Sequence, residues 1–62
     1  MNPIFKKGDK VELINFPEIK LTVLSIVYDS KGKFTGNYIC NYSDEKESKN
    51  QSFMEVQLRL DK

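Results

Sequence analysis

A single thiol and no imidazole set the limits on covalent chemistry in this chain of 62 residues. Cys40 is the only cysteine, and histidine, the side chain that most often deprotonates a thiol or ligates a metal, is absent. Cys40 therefore has no partner for an internal disulfide or a shared zinc ion. It lies between Tyr38 and Tyr42 on an alternating segment, the place of a packed core thiol. The carboxylates Asp44, Glu45 and Glu47 are interleaved with Lys46 and Lys49 in a polar run, which reads as a solvated hairpin tip rather than a cation site. No combination of nucleophile, base or metal shell emerges, so no enzymatic activity, cofactor, metal or small-molecule substrate is expected. Asn41-Tyr42-Ser43 and Asn50-Gln51-Ser52 match the N-glycosylation pattern, but Met1 to Gly8 does not read as a signal peptide, so neither is expected to be used.

Binding chemistry is better represented. Phe16 beside Pro17 offers a rigid apolar ledge, and Phe53 beside Met54 offers a ring and an adaptable thioether. These four are the candidate partner-binding residues. They are expected to border a groove between the first loop and the turn before the last strand, suited to an extended peptide or a second copy of the chain. The alternative surface is basic. Lys6, Lys7 and Lys10 cluster near the start, Lys31 and Lys33 flank Gly32, and Phe34 adds a stacking surface, which suits single-stranded nucleic acid. The charge balance weighs against a general polyanion binder: ten basic and nine acidic residues leave +1. Residues 1–33 hold six basic and four acidic side chains, and residues 34–62 hold four and five, so the asymmetry is slight. A protein partner or homo-oligomer is the preferred reading and nucleic acid the alternative.

The elements that must position these residues are strands. Alanine is absent, whereas Val, Ile and Thr together number eleven. Phe5 to Lys10 reads as a polar turn centred on Gly8-Asp9, and Val11 to Ile14 as a first strand with Val11 and Leu13 on one face. Asn15-Phe16-Pro17-Glu18 interrupts it, because Pro17 cannot donate to a ladder. Leu21 to Tyr28 is the longest apolar run. Strict alternation there would place Ser25 inside, so a bulge near Leu24-Ser25 is expected to return Ile26 to the core. Asp29 to Lys33 is a turn with Gly32 free to take positive φ. Tyr38, Cys40 and Tyr42 share a face, and Ser43 to Asn50 reads as an exposed hairpin loop. Phe53 to Gln57 is expected to form one 3₁₀-like turn before a short last strand, because about ten residues are too few for a helix that stands alone. The expected core is Val11, Leu13, Leu21, Val23, Ile26, Cys40 and Tyr42.

Four or five short strands with one such turn before the last is the pattern of a small SH3-like barrel over residues 1–62, an all-β single domain. A sheet packed by a C-terminal helix is the rival. Apolar residues make up 39%, too many for a disordered tail, and no apolar run approaches the roughly 18 residues of a membrane span. With one cysteine and no signal peptide, a cytoplasmic location is expected.

Several segments resemble one family. Phe5-Lys6-Lys7-Gly8-Asp9-Lys10-Val11-Glu12-Leu13 is similar to the F-x-x-G-D-x-V-x-L opening of the small bacterial YodC-like proteins, whose function is unknown. Leu21-Thr22-Val23-Leu24-Ser25-Ile26 is similar to their M-T-V-x-x-I segment. Cys40-Asn41-Tyr42 stands where they carry C-x-W, and Phe53-Met54-Glu55-Val56-Gln57-Leu58 where they carry F-P-E-x-x-L. Tyr42 thus replaces a Trp and Met54 a Pro. The resemblance spans Phe5 to Leu58 and implies an SH3-like barrel without known catalytic residues. Gly8-Asp9-Lys10-Val11 also resembles KOW-type and Tudor-like modules, some of which bind nucleic acid.

Overall fold

The computed structural model describes residues 2–43 and 47–61. Five antiparallel strands form one sheet: β1 (Lys10–Leu13), β2 (Phe16–Tyr28), β3 (Phe34–Ser43), β4 (Ser48–Met54) and β5 (Leu58–Leu60). One 3₁₀ turn, Glu55–Gln57, connects β4 to β5. The expected turn before a short last strand is thus present, but it spans Glu55–Gln57 rather than Phe53 to Gln57, because Phe53 and Met54 still pair with β3. Among the described residues the rival C-terminal helix is not found. Among the described residues no helix is long and apolar enough to cross a membrane.

The strand order is β4-β3-β2-β1-β5, so β4 and β5 are the two edges, yet they are joined by only three residues. From Met54 to Leu58 the chain can reach at most about 14 Å. The edges of a flat five-stranded sheet would lie about 19 Å apart. The sheet must therefore curl, although β4 and β5 do not pair and it stays open. The curl wraps one face around Val11, Val23, Tyr38 and Cys40, all at 0% exposure. Phe5, Leu21 and Leu58 complete the buried apolar cluster.

Four of the seven expected core residues are buried, and Leu13, Ile26 and Tyr42 are only half-buried against the cluster. Phe5 is the main correction. Rather than belonging to a polar turn, it is buried, with its ring edge-on to Tyr38 at 5.4 Å. The turn itself is Lys6 to Asp9: Asp9 N–H donates to the Lys6 carbonyl at 3.0 Å, and Lys6 N–H donates to Asp9 Oδ2 at 2.9 Å. Gly8 closes it at φ 94°, a conformation glycine adopts without steric cost.

The pairing of β2 explains its length. Val23 pairs with Cys40 and Ser25 with Ile39, so Leu24 is the extra residue of a bulge, at the place the alternation demanded. That bulge leaves Ser25 exposed and sets Ile26 against the core. At the other end, Glu12 pairs with Lys20 but Leu13 with Phe16, which leaves Pro17 to Ile19 without partners on β1. The expected interruption at Asn15–Glu18 is therefore replaced by a short Ile14-Asn15 turn, and Phe16 and Pro17 already belong to β2. Pro17 sits in the unpaired stretch, where a missing N–H breaks no ladder bond. The expected loop over Ser43–Asn50 is shorter as well: Ser48, Lys49 and Asn50 continue β4 in unbroken register with β3. Asp44 and Glu45, two of the candidate loop carboxylates, lie outside the described residues with Lys46.

Candidate functional site

Two turns meet at one end of the sheet. Ile14 N–H, in the β1–β2 turn, donates to the carbonyl of Gln57 at 2.9 Å, which ties that turn to the 3₁₀ segment. Around this junction Ile14, Phe16, Met54 and Val56 are all exposed, Val56 at 77%. The 3₁₀ turn is held from both sides. Gln57 Oε1 accepts from Met54 N–H at 2.9 Å, and Glu55 Oε1 accepts from the Tyr38 hydroxyl at 2.6 Å. Ile4 N–H donates to both the Tyr38 hydroxyl and Glu55 Oε1 at 3.1 Å, so the N-terminal segment is fastened to the same corner. Burial, and then the hydrogen bond to the Glu55 carboxylate, push the Tyr38 phenol above its ordinary pKa. It acts as a neutral donor.

The four expected partner-binding residues are placed unequally. Phe16 and Pro17 are exposed at the start of β2, and Met54 is exposed at the end of β4. Phe53 instead leans half-buried on the core and anchors the strand end. The cleft at Met54 is bordered by Thr35, Gly36, Asn37, Glu55 and Val56, so it opens onto β3 rather than towards Phe16. The two turns thus adjoin through Ile14 and Gln57, while Phe16 does not border the cleft at Met54. Ile14 and Val56 were missed by sequence reasoning. One reads as the last residue of a strand and the other as the apolar position of a short turn.

The residues of the alternative surface are also divided. Lys31, Lys33 and Phe34 share the β2–β3 turn, where Asp29 Oδ1 accepts from Lys31 N–H at 2.8 Å and from Lys33 N–H at 2.9 Å. Lys6 and Lys7 stand on the earlier turn, and Lys10 Nζ donates to Thr22 Oγ1 at 2.9 Å on the outer face of β1–β2. On that face a charge ladder crosses three strands. The Glu12 carboxylate meets Lys20 Nζ and Arg59 Nε, each at 2.6 Å, and Lys20 also reaches Asp61 at 3.3 Å. Both partners are Glu12's register neighbours on β2 and β5. The hydrogen bond from Lys20, then that from Arg59, hold the Glu12 carboxyl below its usual range. Donating to the Glu12 carboxylate raises the Lys20 pKa in turn.

Cys40 is fully buried, and burial raises its thiol pKa, which lowers the thiolate fraction that nucleophilic or metal chemistry requires. Among the described residues no three acidic, cysteine or histidine side chains converge on a metal position. Comparison of the chain with protein-family models, with curated proteins and with solved structures gives no match.

Proposed function

We propose that this chain is a small non-enzymatic binding module with an SH3-like barrel architecture. It engages a protein partner, or a second copy of itself, through the apolar surface around the β1–β2 turn and the 3₁₀ segment. The architecture is supported by the strand order, by β5 pairing with β1, and by the 3₁₀ turn before the last strand. The YodC-like resemblance, which rests on the sequence motifs, agrees with it. The observation that carries the functional reading is the Ile14 N–H to Gln57 carbonyl bond at 2.9 Å. It brings two turns together with Ile14, Phe16, Met54 and Val56 left in water. Exposed apolar side chains at both of the joined turns support reading this corner as an interaction surface, with Met54 and Val56 on one cleft and Ile14 and Phe16 beside it. The buried, poorly ionised Cys40 and the absence of histidine support the non-enzymatic part.

The test is a Phe16→Ala, Met54→Ala double variant and a Val56→Asp variant, each first checked by circular dichroism for an intact fold. Affinity capture from a native extract and sedimentation equilibrium then report partners and oligomeric state. The proposal expects loss of a captured protein or dissociation of a self-complex in both variants. Unchanged partners and an unchanged oligomeric state in both would refute it.

A further inference from the structure

We infer that the corner formed by Tyr28, Phe34 and Lys33 at the β2–β3 turn is a binding site for one stacked base and its phosphate from single-stranded nucleic acid. This site goes beyond the protein-binding surface and shares no lining residue with the cleft at Met54, although Thr35 of that cleft directly follows Phe34. A cleft of about 480 Å³ lies here, lined by Asn2, Pro3, Tyr28, Gly32, Lys33 and Phe34. That falls within the size range of small-ligand pockets.

Each component has the right character. Tyr28 is 52% exposed although it belongs to a strand. Its ring meets Phe34 at 63° with centroids 6.4 Å apart, so the two form a corner rather than a stack. A planar group can lie against one ring and abut the other. The corner is fixed from below, because Phe34 stands edge-on to the fully buried Tyr38 at 5.3 Å. The turn is fixed as well. Besides the two bonds to Asp29 Oδ1, Asp29 N–H donates to the Lys33 carbonyl at 2.8 Å and Gly32 N–H to the Asp29 carbonyl at 3.0 Å. Lys31 and Lys33 therefore project from a set backbone. Among the described residues Lys20, Lys49 and Arg59 stand in ion pairs, whereas Lys31 and Lys33 stand in none. Gly32, at φ 79°, leaves its rim open, since a Cβ there would meet nothing within 4 Å.

Charge selects the occupant. The unpaired Lys33 on the lining, with unpaired Lys31 on the same turn against the single carboxylate of Asp29, disfavours a cationic ligand, which an aromatic corner alone would welcome. A planar π-system joined to an anion satisfies both halves of the site, and a nucleotide is that combination. Binding is expected to be local, one or two nucleotides long, because the rest of the chain is nearly neutral.

The test is fluorescence anisotropy with a labelled oligouridine of about ten nucleotides at about 50 mM salt, where phosphate contacts are least screened. Tyr28→Ala, checked by circular dichroism, should weaken binding roughly 5- to 150-fold, the range for losing one base stack. Tyr28→Phe should stay within about 2-fold, because the π-face remains. One or two phosphate contacts predict a loss of about 3- to 7-fold between roughly 50 and 200 mM salt, and Lys33→Glu should flatten that slope. Lys49→Glu, the same charge change on β4, should bind like the parent. On the unmodified protein, amide shifts on titration should concentrate at residues 28–34. The inference is overturned by undetectable binding at low salt, by parental affinity in Tyr28→Ala, or by equal losses in Lys33→Glu and Lys49→Glu. It is equally overturned if an oligoglutamate peptide competes as well as the oligonucleotide, which would assign the site to acidic peptides.

Discussion

The turn end of the sheet and the β3–β4 arm are both open to solvent, yet they expose opposite chemistry. On the arm, Ser48 to Ser52 are five consecutive exposed polar residues. Asn41 zips the two strands together, its Nδ2 donating to Ser48 Oγ at 2.6 Å and to Asn50 Oδ1 at 2.9 Å. Such a strand is satisfied by water on both faces. At the turn end the exposed side chains are Ile14, Phe16, Met54 and Val56. Among the described residues seven large apolar side chains are exposed, while the buried core holds six such side chains and Cys40. A chain this small needs apolar burial for stability. Four of the exposed seven stand at the two joined turns, and this difference from the arm is what the proposed binding surface rests on.

Substitutions that break the contrast should rank by how directly they touch the shared core. Leu21→Ala removes a side chain that is 2% exposed, and should cost about 2–5 kcal/mol, enough to unfold turn end and arm together in a thermal melt. Tyr38→Phe is more selective. It keeps both edge-on ring contacts but deletes the hydroxyl that joins Ile4 to Glu55, and should cost about 1–3 kcal/mol. Proteolysis should then attack the N-terminal segment and the 3₁₀ turn before the arm. Because the folded phenol's pKa is raised, the parent should lose stability as pH climbs above about 10.0, where only the unfolded chain readily ionises. The Phe variant should lack that part of the alkaline loss.

Glu12 makes the ladder across β1, β2 and β5 sensitive to acid. Its folded pKa is depressed, so its contribution is complete above about pH 4.5 and disappears as pH falls through the lower folded value. Glu12→Gln should flatten that part of the acid limb in denaturation measured against pH. Smallest of all is Lys49→Ala on the arm, which breaks only the exposed Lys49–Glu47 pair at 3.1 Å. Its melting should stay within about 0.5 kcal/mol of the parent.

What the sequence revealed and what it hid follow from how each strand is held. The Leu24 bulge was legible because strict alternation would have buried Ser25. The face shared by Tyr38 and Cys40 was legible as period two, and the 3₁₀ turn because the remaining chain was too short for a helix. β4 was not, because Ser48 to Gln51 carries no apolar alternation and pairs through its backbone along a sheet edge. Pro17 suggested a break, since nothing local announces that three residues of β2 lie opposite no partner. The Glu12, Lys20 and Arg59 ladder needs the register of three strands before it exists at all. Of the candidate surface, Phe16 and Met54 were legible as apolar residues beside turns. The union of the two turns was not, because it rests on one backbone hydrogen bond.

The measurement that bears most directly on the turn end as the binding surface is site-specific photo-crosslinking in a native extract. Phe16 and, in a separate protein, Gln51 of the arm are replaced by p-benzoylphenylalanine. The account predicts a discrete protein adduct from position 16, with a partner or with a second copy of the chain, and none from position 51. The same adduct from position 51, or none from position 16 when position 51 crosslinks, would contradict it.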